Sequence, residues 1–554
     1  MKSLFDVFGF VTVLLHGLDL VARTVLLGSV LFAVFAMAPR RADPRHARAD
    51  PEGSVRKTIR LAAIAAIAAI AAATAVNAAM LVASLDLSLS EVVGARFVVS
   101  GIVQALVALA ILALVSIRPL RDTVTRVALV LLGALSLSAA LADSHAAARL
   151  SDSRAMLAAT FAHQLGAALW LGGLPCFRLA LLRTPTPQVA ARLGRRYSML
   201  SVAGVLLVAA GAIAFAAEYI GSLAGAYGTA YGAMALTKAA LLGALLLLGL
   251  HNFRAVRRIG DDADAARSIV RFVVVEMGMG FAILMAAASL TSTPPAVDLA
   301  DDRVTLHELV VRWAPMLPRF ASPSHDSLAI PALQARLDAE WRDRSSRTRP
   351  VAYVPGSNAL PPRNAFDVAW SEYNHHWSGG LVFAIGLAAL AVRTGRAGWA
   401  RHWPLLFVGL AVFVFLRGDP EVWPMGEIGL LESLRDSEVV QHRLFVLLLI
   451  GFAAFEWRVQ TGRSVLARSA RVFPLLVAGA ATLLLTHSHA LGNVKEELLV
   501  ETTHLPIAVL GIIAGWSRWL EVDAPRTTEG RVAAWIWPAC FVAIGLILIN
   551  YREA

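Results

Sequence analysis

Apolar runs recur along the whole chain, separated by short polar stretches and interrupted once by a long one. A bilayer's hydrocarbon core is crossed by about 20 consecutive apolar residues. By that measure the pattern predicts fourteen spans. Eight lie at roughly 10–38, 59–83, 94–116, 126–143, 155–178, 198–219, 230–252 and 269–291. Six more lie at roughly 375–393, 403–417, 438–457, 472–487, 499–518 and 533–551, with 403–417 the shortest. The expected fold class is all-α, a polytopic transmembrane helical bundle. The polar stretch 293–372 is Pro-rich and charged, with one helical-looking piece, LAIPALQARLDAEWRDR. It divides an eight-span half, 1–292, from a six-span half, 373–554, and suits a small cap rather than an enzyme domain.

Composition agrees with a membrane protein. Of 554 residues, 57% are hydrophobic and 16% charged, against about a quarter charged in a soluble domain. The first run is too long for a signal-peptide core and reads as a retained helix. The net charge of +11 could suggest a nucleic-acid partner, but its distribution argues otherwise. Thirty Lys and Arg fall in one set of alternate short loops and five in the other. Positive charge in loops marks the cytoplasmic face. This orientation places both termini and the 293–372 stretch on the periplasmic side of a bacterial inner membrane, and it makes nucleic acid an unlikely partner. Two cysteines, Cys176 and Cys540, leave no disulfide scaffold or Cys-based cluster. The chain has no GxxxxGK[ST] loop, so ATP is not expected to drive it.

Against that topology the histidines are unevenly placed. His145, His163, His375, His376, His442, His487, His489 and His504 all map to the outer ends of spans, and His16 lies a few residues inside the first. His307 and His325 sit in the outer stretch, so eleven of 14 histidines face one way. Imidazole tolerates the headgroup region, so part of this bias needs no ligand. Imidazole also ligates copper and haem iron. His487 and His489 flank one residue, which puts both rings on one face of an extended segment. His375 and His376 are adjacent and cannot share a helix face. The metal-ligand candidates are therefore His145, His163, His375, His376, His442, His487, His489 and His504. Met80 and Met285 fall near outer ends and could join a Cu(I) site, although ordinary packing is the commoner role of methionine.

Ionisable residues inside spans are costly and usually face the bundle interior. In HGLDLVAR, His16, Asp19 and Arg23 share one helical face. Asp19 either pairs with Arg23 or orients His16 as a supporting carboxylate. Lys238 and Glu276 lie within consecutive spans and are candidates to pair. Asp19, Lys238 and Glu276 are the candidates for coupling or gating.

The segment of about 195–295 resembles the copper resistance D (CopD) domain of bacterial inner-membrane proteins. The resemblance is carried by RRYSMLSVAGVLLVAAGAI, YGAMALTKAALLGALLLLGLHNFRAVRR and IVRFVVVEMGMGFAILMAAASLTSTPP, with Lys238, Asn252, Arg271 and Glu276 at the matching positions. The upstream FAHQLGAALWLGGL also looks like the approach to such a domain. In the second half, NHHWSGGLVF and THSHALG echo the first, which reads as a diverged internal repeat. The resemblance implies a copper ion moved from periplasm to cytoplasm, with periplasmic copper-binding proteins as partners alongside the lipid bilayer. CopD domains also look distantly like b-type cytochromes. The alternative expectation is therefore a haem-b membrane oxidoreductase passing electrons to copper or a quinone, with His16, His163, His376 and His504 as haem ligands.

Overall fold

The computed structural model describes residues 2–37, 51–85, 88–148, 152–184, 186–260, 263–323, 365–434, 437–463, 469–486 and 494–553. Among the described residues the architecture is helical throughout, with no strand. We label the long apolar helices α1 (Val11–Ala36), α2 (Pro51–Ala83), α3 (Arg96–Ile117), α4 (Thr123–Ala142), α5 (Ser153–Leu182), α6 (Pro187–Ile220), α7 (Ala230–Arg258) and α8 (Asp264–Thr291). After the polar stretch follow α9 (Val368–Arg393), α10 (Gly398–Arg417), α11 (Val439–Gln460), α12 (Ser469–Leu484), α13 (Leu498–Asp523) and α14 (Thr528–Ile549).

Thirteen of these helices are long and apolar enough to cross a membrane, and the protein is an integral membrane protein. The fourteenth predicted span, 472–487, corresponds to α12, which is shorter than the rest. The weaker prediction, 403–417, gains length because a 3-10 turn, Gly398–Leu405, leads into it.

The chain forms two compact units. The first comprises Val11–Gly221 and Lys238–Ser292; the second comprises Met1–Phe10, Ser222–Thr237 and Thr293–Ala554. The 292/293 division expected from the polar stretch is one boundary, but Ser222–Thr237, including the start of α7, groups with the second unit.

In the first unit α5 packs on α6, α2 on α3 and α3 on α4. Its core is built largely of Ala and Val, with Ala62, Ala63 and Ala66 of α2 buried. Small residues let helices approach closely, and van der Waals packing of this kind holds membrane helices together. Gly28 of α1 is the clearest case, since a Cβ there would fall 2.3 Å from the Ala168 carbonyl oxygen of α5. At that crossing α5 takes a π-helical turn, Ala168–Gly172.

The second unit is packed differently. In it α9 lies on α14, α14 on α13 and α13 on α12. Its centre is aromatic: Trp403, Phe407, Phe452, Phe473, Trp537 and Phe541 meet mostly edge to face or tilted. Such pairs add about 0.5–1.5 kcal/mol each beyond the area they bury.

Candidate functional site

Imidazoles gather at one end of the second unit. His375 lies near the start of α9 and His504 near the start of α13, and their ring centroids are 5.8 Å apart, edge to face. His442, early in α11, is within electrostatic reach of His504. Tyr551, just beyond α14, stacks on His375 at 3.8 Å and stands 6.1 Å from His504.

Three of these rings are held in the same manner. His375 Nδ1 meets the Ser371 carbonyl at 2.8 Å, and His504 Nδ1 meets the Val500 carbonyl at 3.0 Å, each one turn back along its own helix. His442 Nδ1 meets Asp419 Oδ1 at 2.7 Å. Anchoring of a ring through Nδ1 to an acceptor is the usual arrangement behind a metal-ligating imidazole.

His376 differs from its neighbour. It is fully buried; its Nδ1 accepts from the Arg319 backbone N–H at 2.7 Å and its Nε2 donates to the Tyr551 carbonyl at 2.7 Å. Both nitrogens are occupied, so His376 braces the site and is corrected from the metal and haem sets. It ties the 293–323 segment and the stretch after α14 to α9.

That segment caps the imidazole end. Arg312, on the short helix Leu306–Trp313, donates to the Leu499 carbonyl at 2.9 Å and lies 4.5 Å over the Tyr551 ring. Arg319 pairs with Glu372 at 3.3 Å. Tyr551 donates to Glu553 at 2.9 Å, and Ser371 donates to the same carboxylate. Burial, with Glu553 beside it, pushes the Tyr551 hydroxyl above its ordinary pKa, so it stays a neutral donor. The helical piece expected around LAIPALQARLDAEWRDR lies outside the described residues.

In the first unit the picture is more dispersed. His163 Nδ1 meets the Val208 carbonyl of α6 at 3.1 Å, and Lys238 is its charged neighbour. Asp19 pairs with Arg23 at 2.5 Å, and Arg23 donates to Gln104 at 2.7 Å, linking α1 to α3. The ion pair with Arg23, one of the two roles expected for Asp19, is present. Met285 is buried against Gly17.

The expected Lys238–Glu276 pair does not form. Glu276 is buried and accepts from the Trp170 indole at 2.7 Å and the Asn252 amide at 2.6 Å. Asn252 is fourteen positions after Lys238 on α7, about 21 Å further along at 1.5 Å per residue. Tyr197 of α6 donates to the Trp170 carbonyl, so the π turn of α5 presents Trp170 to Glu276 while α6 holds its backbone.

The remaining candidates stand as follows. His145 opens the short helix His145–Ala148, and its side chain lies outside what is described. His487 and His489 lie outside the described residues. Among the described residues no group of three or more His, Cys, Asp or Glu is arranged to hold a metal ion. Sequence reasoning missed Asp419, Ser371 and Tyr551 in the second unit and Trp170 and Tyr197 in the first. Asp419 is an acid at the end of an apolar run beside proline, and that was its only signal.

Fold and site together define an integral membrane protein with a capped imidazole cluster at one end of one unit. Residues 191–290 match the family model for copper resistance protein D, CopD, so the chain carries the domain that it resembles over about 195–295. No curated protein and no solved structure matches the chain.

Proposed function

We propose that this protein handles copper at the bacterial inner membrane, taking copper ions from the periplasm through His375, His504 and His442 and passing them toward the cytoplasm. The supporting observation is the shared Nδ1 anchoring of His375, His504 and His442, the manner in which metal-ligating imidazoles are usually oriented. In this reading His145, His163, His487 and His489 are further ligands along the path. Lys238, beside His163, is the coupling candidate in this reading. Periplasmic copper-binding proteins deliver the ion, and both termini face the periplasm. The haem-b alternative is weakened because His376 has both ring nitrogens engaged.

The test is copper bound per molecule of detergent-purified protein, with uptake into vesicles measured alongside. His375→Ala and His504→Ala each lower copper affinity roughly tenfold or more, the range for an altered metal shell. His376→Ala leaves copper affinity in place and lowers the unfolding midpoint. Equal copper binding by all three variants would sink the reading, as would a haem absorption band lost on His504→Ala.

A further inference from the structure

The cap over the imidazole end is amphipathic in the inverted sense. Its helix, Leu306–Trp313, turns Arg312 inward, where the residue is 3% exposed, and sets Glu308 toward Lys495 at 3.9 Å. Leu306, Val310, Val311 and Trp313 are exposed, and beyond the helix Leu317 is 91% exposed and Phe320 is exposed as well. In water the arginine would lie outside and the leucine and valine inside. A contiguous apolar face of this kind marks a surface that is covered in use.

The backbone beneath that face suits a dry environment. Hydrocarbon offers no water to an unpaired N–H or C=O, so irregular chain at that depth must be satisfied by protein. Pro315 and Pro318 carry no N–H. Ala314 donates to the Val311 carbonyl at 3.2 Å, Met316 to Asn550 Oδ1 at 3.2 Å and Arg319 to His376 Nδ1 at 2.7 Å. The Trp313 carbonyl accepts from the Asn550 amide, and the Phe320 carbonyl accepts from the Trp377 indole.

The face also continues onto the side of the bundle. Phe320 meets Trp377 of α9 edge to face at 5.3 Å, and Trp377 stands 6.2 Å from Phe413 of α10. Further along α10, Val408 and Val412 are exposed apolar residues of a membrane-length helix, and so face lipid. Trp313, Phe320 and Trp377 lie where the cap meets that helix surface, and aromatic residues concentrate at membrane–water boundaries. A face continuous with lipid-facing helices fits lipid rather than a soluble partner.

We propose that residues 306–320 lie in the bilayer leaflet at the imidazole end, with Leu306, Val310 and Leu317 about 5–10 Å into the headgroup–acyl boundary. The stretch 293–372 then begins as a membrane-surface element, and lipid holds the cap against the imidazole end from outside. The surface stands without the copper reading, and its test involves no copper.

The test places a fluorophore on Val310→Cys, on Leu317→Cys and, as a lipid-facing reference in α11, on Leu447→Cys of the full-length protein. Both native cysteines are buried and escape the label. The protein is held in nanodiscs of phosphatidylethanolamine and phosphatidylglycerol, which leave both faces open to aqueous iodide. Lipids carrying a nitroxide near the headgroup or in mid-chain are added in separate samples. Expected is loss of emission from the Val310 and Leu317 labels to the headgroup-end nitroxide, with iodide quenching well below that of the free dye. The Leu447 label responds most to the mid-chain nitroxide. Absence of lipid quenching at both cap sites overturns the proposal: access to iodide then puts the face in water, and protection from iodide puts it under protein. The two cap sites report independently, so if one labelled variant fails to fold the other decides.

Discussion

The two units bury the same pairing of indole and carboxylate in opposite electrostatic settings. In the first, Glu276 is held by Trp170 and Asn252, both neutral donors. In the second, Glu521 accepts from the Trp537 indole at 2.7 Å, pairs with Arg518 at 2.6 Å, and also pairs with Arg393. Arg518 reaches on to Glu456, likewise at 2.6 Å, so two acids and two guanidiniums form one buried network joining α9, α11 and α13. The neutral arrangement borders a cavity of about 320 Å³. The charged one sits at the opposite end of its unit from the imidazoles and clamps three helices. The same pair of groups can thus line a pocket or lock a bundle, depending on whether the remaining partners carry charge.

The largest expected effect comes from breaking the charged network. Arg518→Leu leaves Glu456 and Glu521 buried with their main partner gone. Removing one member of a buried ion pair destabilises by about 3–5 kcal/mol, because the remaining charge is uncompensated. The check is the unfolding midpoint of the purified protein in increasing denaturing detergent. A shift worth less than about 1 kcal/mol would mean that water or Arg393 takes over the role, and the contrast between the units would lose its basis.

Glu276→Gln should be far milder. A glutamine oxygen still accepts from Trp170, and its amide can donate to Asn252 Oδ1 once the Asn252 side chain turns over. The expected loss is about 1 kcal/mol or less, the range for one neutral hydrogen bond, read by the same unfolding assay. A loss as large as that of Arg518→Leu would show that Glu276 has a cationic partner in the folded protein, and the comparison would have to be redrawn.

How much of this could be read from the sequence follows from the range of each interaction. Span number and fold class were legible because hydropathy is a local sum over about 20 residues. Where the apolar run was too brief to judge, around 403–417, the added length comes from the 3-10 turn Gly398–Leu405 before it. The His375/His376 adjacency showed that the two rings must do different work. Which ring did which was hidden, because His376 is claimed by Arg319, 57 residues earlier, and Tyr551, 175 later. The Lys238–Glu276 pairing failed for a related reason. Consecutive antiparallel spans promise proximity, but depth along the helix decides the partner, and Glu276 sits at the level of Asn252. The CopD motif itself contained Asn252 and Glu276, so half of that site was in view; Trp170 came from the preceding helix.

A last comparison separates a glycine needed for contact from one that merely borders space, and its Gly249 arm carries the smallest effect. At Gly28 an added methyl would collide with α5 backbone, 2.3 Å from the Ala168 oxygen. At Gly249 the nearest atoms to such a methyl are Glu276 Oε1 and Trp170 Cζ2, both at 3.7 Å, an ordinary van der Waals distance. Glycine within a helix is less stable than alanine by roughly 0.5–1 kcal/mol, through backbone entropy. Gly249→Ala should therefore raise the unfolding midpoint by about that amount, since the methyl enters the cavity wall without displacing anything. Gly28→Ala should lower it, by roughly 1–3 kcal/mol, the scale of overpacking at a tight crossing. If Gly249→Ala proves destabilising instead, the space beside α7 is closed in the membrane protein, and the pocket that distinguishes the first unit from the second is not there to be filled.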